Sequence, residues 1–290
     1  MADNDTGVGV PASQSKQSRA GRNLPAAIVV GLLLAGLMVA TLLLAPRLWL
    51  LILAVSTPIA THEVTRRLRE AGYDVPFIPL ALGGQAMIWL SWPFGPVGVL
   101  GAFGGTVVLC MVWRLVDQGL NHTPVNYLRD MSVTVLIAVW VPLFMSFGAL
   151  LIYPDPQEGA GRVLCMLVTV VCSDIGGYAV GVLYGRHPMV PAISPKKSWE
   201  GFGGSLVLGI AGAVVAVTLF LDEPVWTGVP LGLLLVLTGI LGDLVESQIK
   251  RDLGIKDMGS SLPGHGGLMD RLDALLPAAA ISWIVWAVLA

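Results

Sequence analysis

From residue 24 onward the chain is a succession of long apolar runs separated by short polar ones, and this pattern limits the fold more than any other feature. The runs fall at 24–45, 48–61, 76–92, 96–113, 130–152, 161–184, 201–221, 225–243 and 272–290. Most are long enough to cross a hydrocarbon core of roughly 30 Å as a helix. Only 12% of the residues are charged and 55% are hydrophobic, against about 25% charged in soluble domains. The expected fold is therefore all-α: a polytopic integral membrane protein with about nine transmembrane helices. The 48–61 run is short for a span and is read as continuing into its polar flank; a strict count would give eight. Pro142 and many of the 35 glycines fall inside the runs, where membrane helices tolerate them and pack closely.

Residues 1–23 are polar and rich in small residues, and are read as a disordered cytoplasmic tail. The run after them exceeds the roughly 7–15 residues of a signal-peptide core and is read as a retained helix. Lys and Arg accumulate in cytoplasmic loops of membrane proteins. With nine spans and the N-terminus inside, 15 of the 17 Lys and Arg residues fall on the cytoplasmic side, leaving only Arg47 and Arg162 outside. The C-terminus is then external, and every unusual polar motif is cytoplasmic. Polar features crowd into the second half, so 24–152 reads as a helical scaffold and 161–290 as the part that carries chemistry. Cys110, Cys165 and Cys172 lie in apolar runs without paired spacing and are read as core hydrophobes.

The stretch 243–273 holds ten of the chain's 36 charged side chains in 31 residues, between apolar runs where an unpaired charge is costly. Asp243 and Glu246 stand three residues apart, as do Asp270 and Asp273, so each pair shares a helix face. Four carboxylates from two helix ends suit a hard divalent cation such as Mg²⁺ or Mn²⁺. They equally suit a salt-bridge network with Lys250, Arg251 and Arg271, and spacing alone leaves both readings open. Between the pairs, Leu262-Pro263-Gly264-His265-Gly266-Gly267 cannot be a regular helix, and its glycines allow backbone N–H groups to approach a phosphate. Beside Lys250, Arg251, Lys256 and His265 this loop reads as a candidate nucleotide cradle.

Two further features stand out. Ser194-Pro195-Lys196-Lys197-Ser198-Trp199-Glu200-Gly201 is a basic loop placed to grip phosphate charge, with Ser198 or Glu200 capping or orienting the next helix. Adjacent lysines at a membrane surface also follow from topology alone. Asp174 lies within an apolar run beside Ser173, Gly176 and Gly177, and a carboxylate at that depth costs several kcal/mol unless paired or wet. His62, Glu63, Arg66, Arg67 and Arg69 read as a membrane-surface helix rather than a site.

The segment Ser247-Gln248-Ile249-Lys250-Arg251, then Lys256-Asp257-Met258-Gly259, then Leu262 to Asp273 with Gly264-His265-Gly266-Gly267 and Asp270-Arg271, resembles the signature of phosphatidate cytidylyltransferases. Upstream, Asp174 with Gly177-Tyr178, Ser194 to Ser198 with Glu200-Gly201, and Gly242-Asp243 with Glu246-Ser247 are similar to further elements of that family. The resemblance covers roughly 170–273; the first half resembles the family only in being hydrophobic helices. It implies that CTP and phosphatidic acid give CDP-diacylglycerol and pyrophosphate in phospholipid biosynthesis, with Mg²⁺ required, Mn²⁺ as a substitute and a second cation conceivable. It also implies a homodimer in the bilayer, the inner or plasma membrane if the source is bacterial, and no nucleic-acid partner.

Carried over by that resemblance, Asp243 and Asp270 are the leading metal ligands, with Glu246, Asp273 and Asp174 as further ligands or neighbours. Asp243, Asp270, Lys250, Arg251 and Arg271 form the catalytic set; Ser194, Lys196, Lys197, Lys256, His265, Gly266 and Gly267 bind substrate. Such a reaction needs positioning and charge neutralisation more than a protein nucleophile. Two alternatives are carried: a related CTP-dependent phosphotransferase with another lipid acceptor, and an ion-coupled transporter using Asp174. The transporter predicts polar residues spread through the midplane, whereas here they cluster at one face.

Overall fold

The computed structural model describes residues 36–117, 119–261 and 266–289. The expected tail and most of the first apolar run lie outside these residues; residues 36–44 are helical. Among the described residues, seven helices are long and apolar enough to cross a membrane. They are α1 (Trp49–Glu70), α2 (Phe77–Val116), α3 (Tyr127–Leu150), α4 (Pro156–Tyr184), α5 (Trp199–Phe220), α6 (Val225–Asp252) and α7 (Met269–Leu289). An all-helical bundle was expected; a short antiparallel hairpin of β1 (Pro188–Val190) and β2 (Ser194–Ser198) is added to it.

The predicted runs 76–92 and 96–113 are the two arms of α2. At Gly95, flanked by Pro93 and Pro96, the backbone leaves the helix with φ 55° and ψ −139°, a region open to glycine and closed to residues with a Cβ. A Cβ on Gly83 would fall 2.0 Å from Thr106 Oγ1, so the arms double back against each other. The short 48–61 run does continue through its polar flank, giving α1 its 22 residues. In α3 the turn at Val139–Leu143 is a π-turn around Pro142, the local widening that a proline without an N–H favours.

The two halves of the chain are packed together, with Phe147 of α3 against Trp283 of α7. In the first half Trp49 Nε1 donates to Gly148 O at 2.9 Å and Gln85 Nε2 to Ala54 O at 2.7 Å, knitting α1 to α3 and α2. Arg114, 2% exposed, pairs with Asp130 at 3.1 Å and Asp74 at 3.2 Å, tying three polar ends together where a lone charge would be penalised. In the second half, α4 starts at Asp155, whose side chain accepts from Gln157 N at 2.9 Å, with Pro156 in the first turn.

Glycine sets the α4–α5 distance. A Cβ on Gly204 would lie 2.5 Å from Gly176 O, and one on Gly176 would lie 2.3 Å from Gly204 O, the close approach that small residues permit in membranes. Ser205 Oγ donates across the same seam to Ser173 O at 2.8 Å. Gly204→Ala is therefore expected to destabilise by about 1–3 kcal/mol through overpacking. Gly203→Ala, where nothing lies within 4 Å of the added carbon, should change the thermal midpoint in detergent little. Equal midpoints for the two variants would contradict the close packing.

Candidate active site

A cavity of about 400 Å³ opens where α4, the hairpin, α5, α6 and α7 meet. The α4 wall is Ser173, Asp174, Gly177 and Tyr178; the hairpin supplies Lys196 and Lys197; α6 supplies Asp243; α7 supplies Asp270, Arg271 and Asp273. The close α4–α5 seam thus runs directly into the site.

The hairpin owes its position to two side chains at the start of α5. Ser198 Oγ accepts from Gly201 N at 3.1 Å and caps the helix. Glu200 faces back to the hairpin, accepting from Arg186 N at 3.1 Å and His187 N at 3.2 Å and meeting His187 Nδ1 at 2.5 Å. With its base fixed, the hairpin carries Lys197 to Asp243, Nζ to Oδ2 2.6 Å. Ser247 Oγ donates to the other oxygen, Asp243 Oδ1, at 3.2 Å. Lys196 is exposed next to it.

The acids are distributed rather than converged. Among the described residues, no three His, Cys, Asp or Glu side chains form a group that holds a metal unaided. Asp174, Asp243, Asp270 and Asp273 all line the cavity, with Lys197 beside them, so four carboxylates face one space. Asp174 sits deep in an apolar helix yet is exposed, because it lines the cavity. Behind the wall, Glu246 is 0% exposed and its Oε1 has no hydrogen-bond partner. Lys250 Nζ bridges Glu246 Oε2 at 3.0 Å and Asp270 Oδ1 at 3.1 Å.

Of the two readings left open by the spacing, the salt-bridge network is present in part. Asp270 belongs to an internal network, also accepting from Met258 N at 3.1 Å and Gly267 N at 3.0 Å. Asp243, Asp273 and Asp174 present an acidic surplus to the cavity. Mg²⁺ is held by one or two carboxylates with substrate phosphates and water, not by all-protein cages. Asp174, Asp243 and Asp273, the cavity acids outside the Asp270 network, fit a cation on those terms.

The described end of the expected phosphate cradle, Gly266 and Gly267, has its backbone turned toward acids of the protein itself. Gly267 N–H is directed to Asp270, and Leu268 N–H and Met269 N–H are directed to Glu63. Gly266, with φ 84°, turns the chain against Asp270. His265, with Leu262, Pro263 and Gly264, lies outside the described residues. Of the remaining expected residues, Arg251 Nε reaches Ile193 O at 3.4 Å and so braces the hairpin turn. Ser194 lies in β2 and Lys256 is exposed; neither lines the cavity.

Two contributors come from the half read as scaffold. Glu63, expected on a membrane-surface helix, is 7% exposed and bonded to the loop of the signature. Arg67 Nε donates to Met258 O at 3.0 Å. The only sequence signal for them is an acid one residue into a polar flank, which periodicity assigns to the surface.

Known proteins resemble this chain over nearly its whole length. A family model described as "Cytidylyltransferase family" matches residues 25–289. The phosphatidate cytidylyltransferase of Mycobacterium bovis is 58% identical over 303 residues, covering 98% of this chain and 98% of the relative. That of Mycobacterium tuberculosis is 59% identical over 300 residues, covering 97% and 91%. That of Mycobacterium leprae is 56% identical over 307 residues, covering 98% of each. Since the match runs through all the elements that wall the cavity as well as the helices before them, the chain belongs to the cytidylyltransferase family.

Proposed function

We propose that this protein is a phosphatidate cytidylyltransferase: it transfers the cytidylyl group of CTP to phosphatidic acid, giving CDP-diacylglycerol and pyrophosphate. The observation that carries the reading is the cavity shared by Lys196, Lys197 and Arg271 with Asp174, Asp243 and Asp273. Two polyanions must meet there. A phosphate oxygen of phosphatidic acid attacks the α-phosphorus of CTP, the bond from that phosphorus to the bridging oxygen of the β-phosphate breaks, and pyrophosphate leaves with the bonding pair. The attacking phosphate is largely ionised near neutral pH, so no strong general base is needed, and catalysis rests on in-line placement and charge neutralisation.

In this reading Lys196, Lys197 and Arg271 hold phosphate oxygens from the hairpin and α7. Asp243, with Asp273 and Asp174, is the set that would hold Mg²⁺, which when bound neutralises charge on the transferring and departing phosphates. The Lys197–Asp243 pair, 2.6 Å apart, orients both groups toward the cavity before substrate arrives. Lys250 fixes Asp270 without facing substrate directly. Around this site, we read the two arms of α2 and the run 24–45 as separate crossings, for nine spans. The N-terminus and the cavity are then cytoplasmic and the protein works as a homodimer.

The experiment is pyrophosphate release from CTP by detergent-purified protein. Release requiring both phosphatidic acid and Mg²⁺ supports the reading; release with diacylglycerol or a polyprenol in place of phosphatidic acid points to the related phosphotransferase. Within that assay, Lys196→Ala is expected to raise KM for CTP about tenfold, the loss of one exposed charge-assisted phosphate contact, with kcat less affected. An unchanged saturation curve would return Lys196 to a purely topological role.

A further inference from the structure

The α1 helix delivers one buried carboxylate to the segment that carries Asp270 and Arg271. Glu63 Oε1 accepts from Leu268 N at 3.1 Å and Oε2 from Met269 N at 2.9 Å, while Ser261 Oγ also donates to Oε1. Among the described residues no lysine or arginine forms a salt bridge with it. Its space is reserved by two glycines: a Cβ on Gly259 would lie 2.1 Å from Glu63 Oε1, and one on Gly267 would lie 2.7 Å from Oε2. One helical turn on, Arg67 holds Met258 O.

The opposite side of this loop is held by Asp270, which accepts from Met258 N and Gly267 N. The backbone at 258–259 and 267–269 is thus clamped between two carboxylates, one from α1 and one from α7. Hydrogen bonds from N–H to a carboxylate are among the stronger kind, and a buried acceptor that loses its donors is heavily penalised. Moving Glu63 therefore moves the loop, and with it Asp270 and Arg271 on the cavity wall.

We propose that Glu63 is a positioning residue for cytidylyl transfer, which sets the α7 wall of the cavity against Lys197 and Asp243 on the facing wall without touching substrate. This rests on the reaction proposed above. The first-half helices are then part of the catalytic apparatus, because a displacement of about 1 Å at a reacting centre costs on the order of a hundredfold in rate.

The test compares full-length wild type with Glu63→Gln and Ser261→Ala in detergent, by kinetics, thermal midpoint and amide hydrogen exchange. Glu63→Gln keeps the shape and loses the charge. It is expected to lower kcat by roughly 30–100-fold with a smaller rise in KM for CTP, because Lys196 and Lys197 are untouched and, of the phosphate-binding groups, only Arg271 moves with the loop. Peptides spanning 258–272 should exchange faster while the thermal midpoint stays close to wild type. Ser261→Ala, at an exposed loop position, should shift kcat and exchange severalfold in the same direction, and it carries the test if Glu63→Gln does not fold. Wild-type kcat, or unchanged exchange at 258–272, in folded variants overturns the proposal. Wild type that turns over no CTP while exchange responds as expected overturns the reaction and leaves the clamp standing.

Discussion

Asp243→Asn is expected to lower turnover by on the order of a thousandfold, the scale seen when one preorganised electrostatic group at a reacting centre is lost. The variant should still insert and extract normally. The asymmetry follows from the environment. Asp243 is 37% exposed at the cavity and its carboxylate is balanced on one side only, by Lys197 at 2.6 Å. Asparagine keeps the shape and can still accept from Ser247, so packing is retained. What it loses is the charge that orients Lys197 and, in the proposed chemistry, the charge that holds Mg²⁺. Raising Mg²⁺ should recover part of the rate if ligation is the main loss. A rate within about threefold of wild type would remove Asp243 from the machinery.

Lys250→Met should have the opposite signature, with stability falling along with activity. Lys250 is 16% exposed and stands between Glu246, 0% exposed, and Asp270, 7% exposed. Removing the cation leaves two buried carboxylates without their shared partner, a change that costs roughly 3–5 kcal/mol in comparable buried pairs. At the thermal midpoint that corresponds to a fall of roughly 6–20 °C for a chain of this size. Adding Glu246→Gln to Lys250→Met removes one of the stranded charges and should recover part of the loss, a coupling that a double-mutant cycle reads directly. An unchanged midpoint for Lys250→Met would show that Glu246 and Asp270 are not held by this lysine.

What the chain made legible, and what it hid, follows from the range of each interaction. Helices announce themselves by long apolar runs, and the reversal at Gly95 is marked locally by Pro93 and Pro96. The gathering of Asp243, Asp270, Asp273, Lys196 and Lys197 was legible because charge next to membrane-length runs demands an explanation. The hairpin was not legible: Ser194-Pro195-Lys196-Lys197-Ser198 has little strand character, and its pairing with Pro188–Val190 depends on Glu200 fastening its base. Spacing could not tell the ion-paired acids from the cavity-facing ones, since i, i+3 places residues on a face without saying what lies opposite. Glu63 was hidden most deeply. Its partners are about 200 positions away in sequence, and within its own helix it has the pattern of an ordinary surface acid.

The central claim is that this charged cavity transfers a cytidylyl group to a lipid phosphate, and the identity of the phosphorus that moves tests it most directly. CTP labelled at the α-phosphate and, in parallel, at the γ-phosphate would be incubated with purified protein, phosphatidic acid and Mg²⁺, and the lipid phase extracted. The account predicts α-label in the lipid, with the γ-label remaining in water as pyrophosphate. The γ-label entering the lipid while the α-label stays in water would contradict it, making the protein a kinase that uses the same cavity for a different bond.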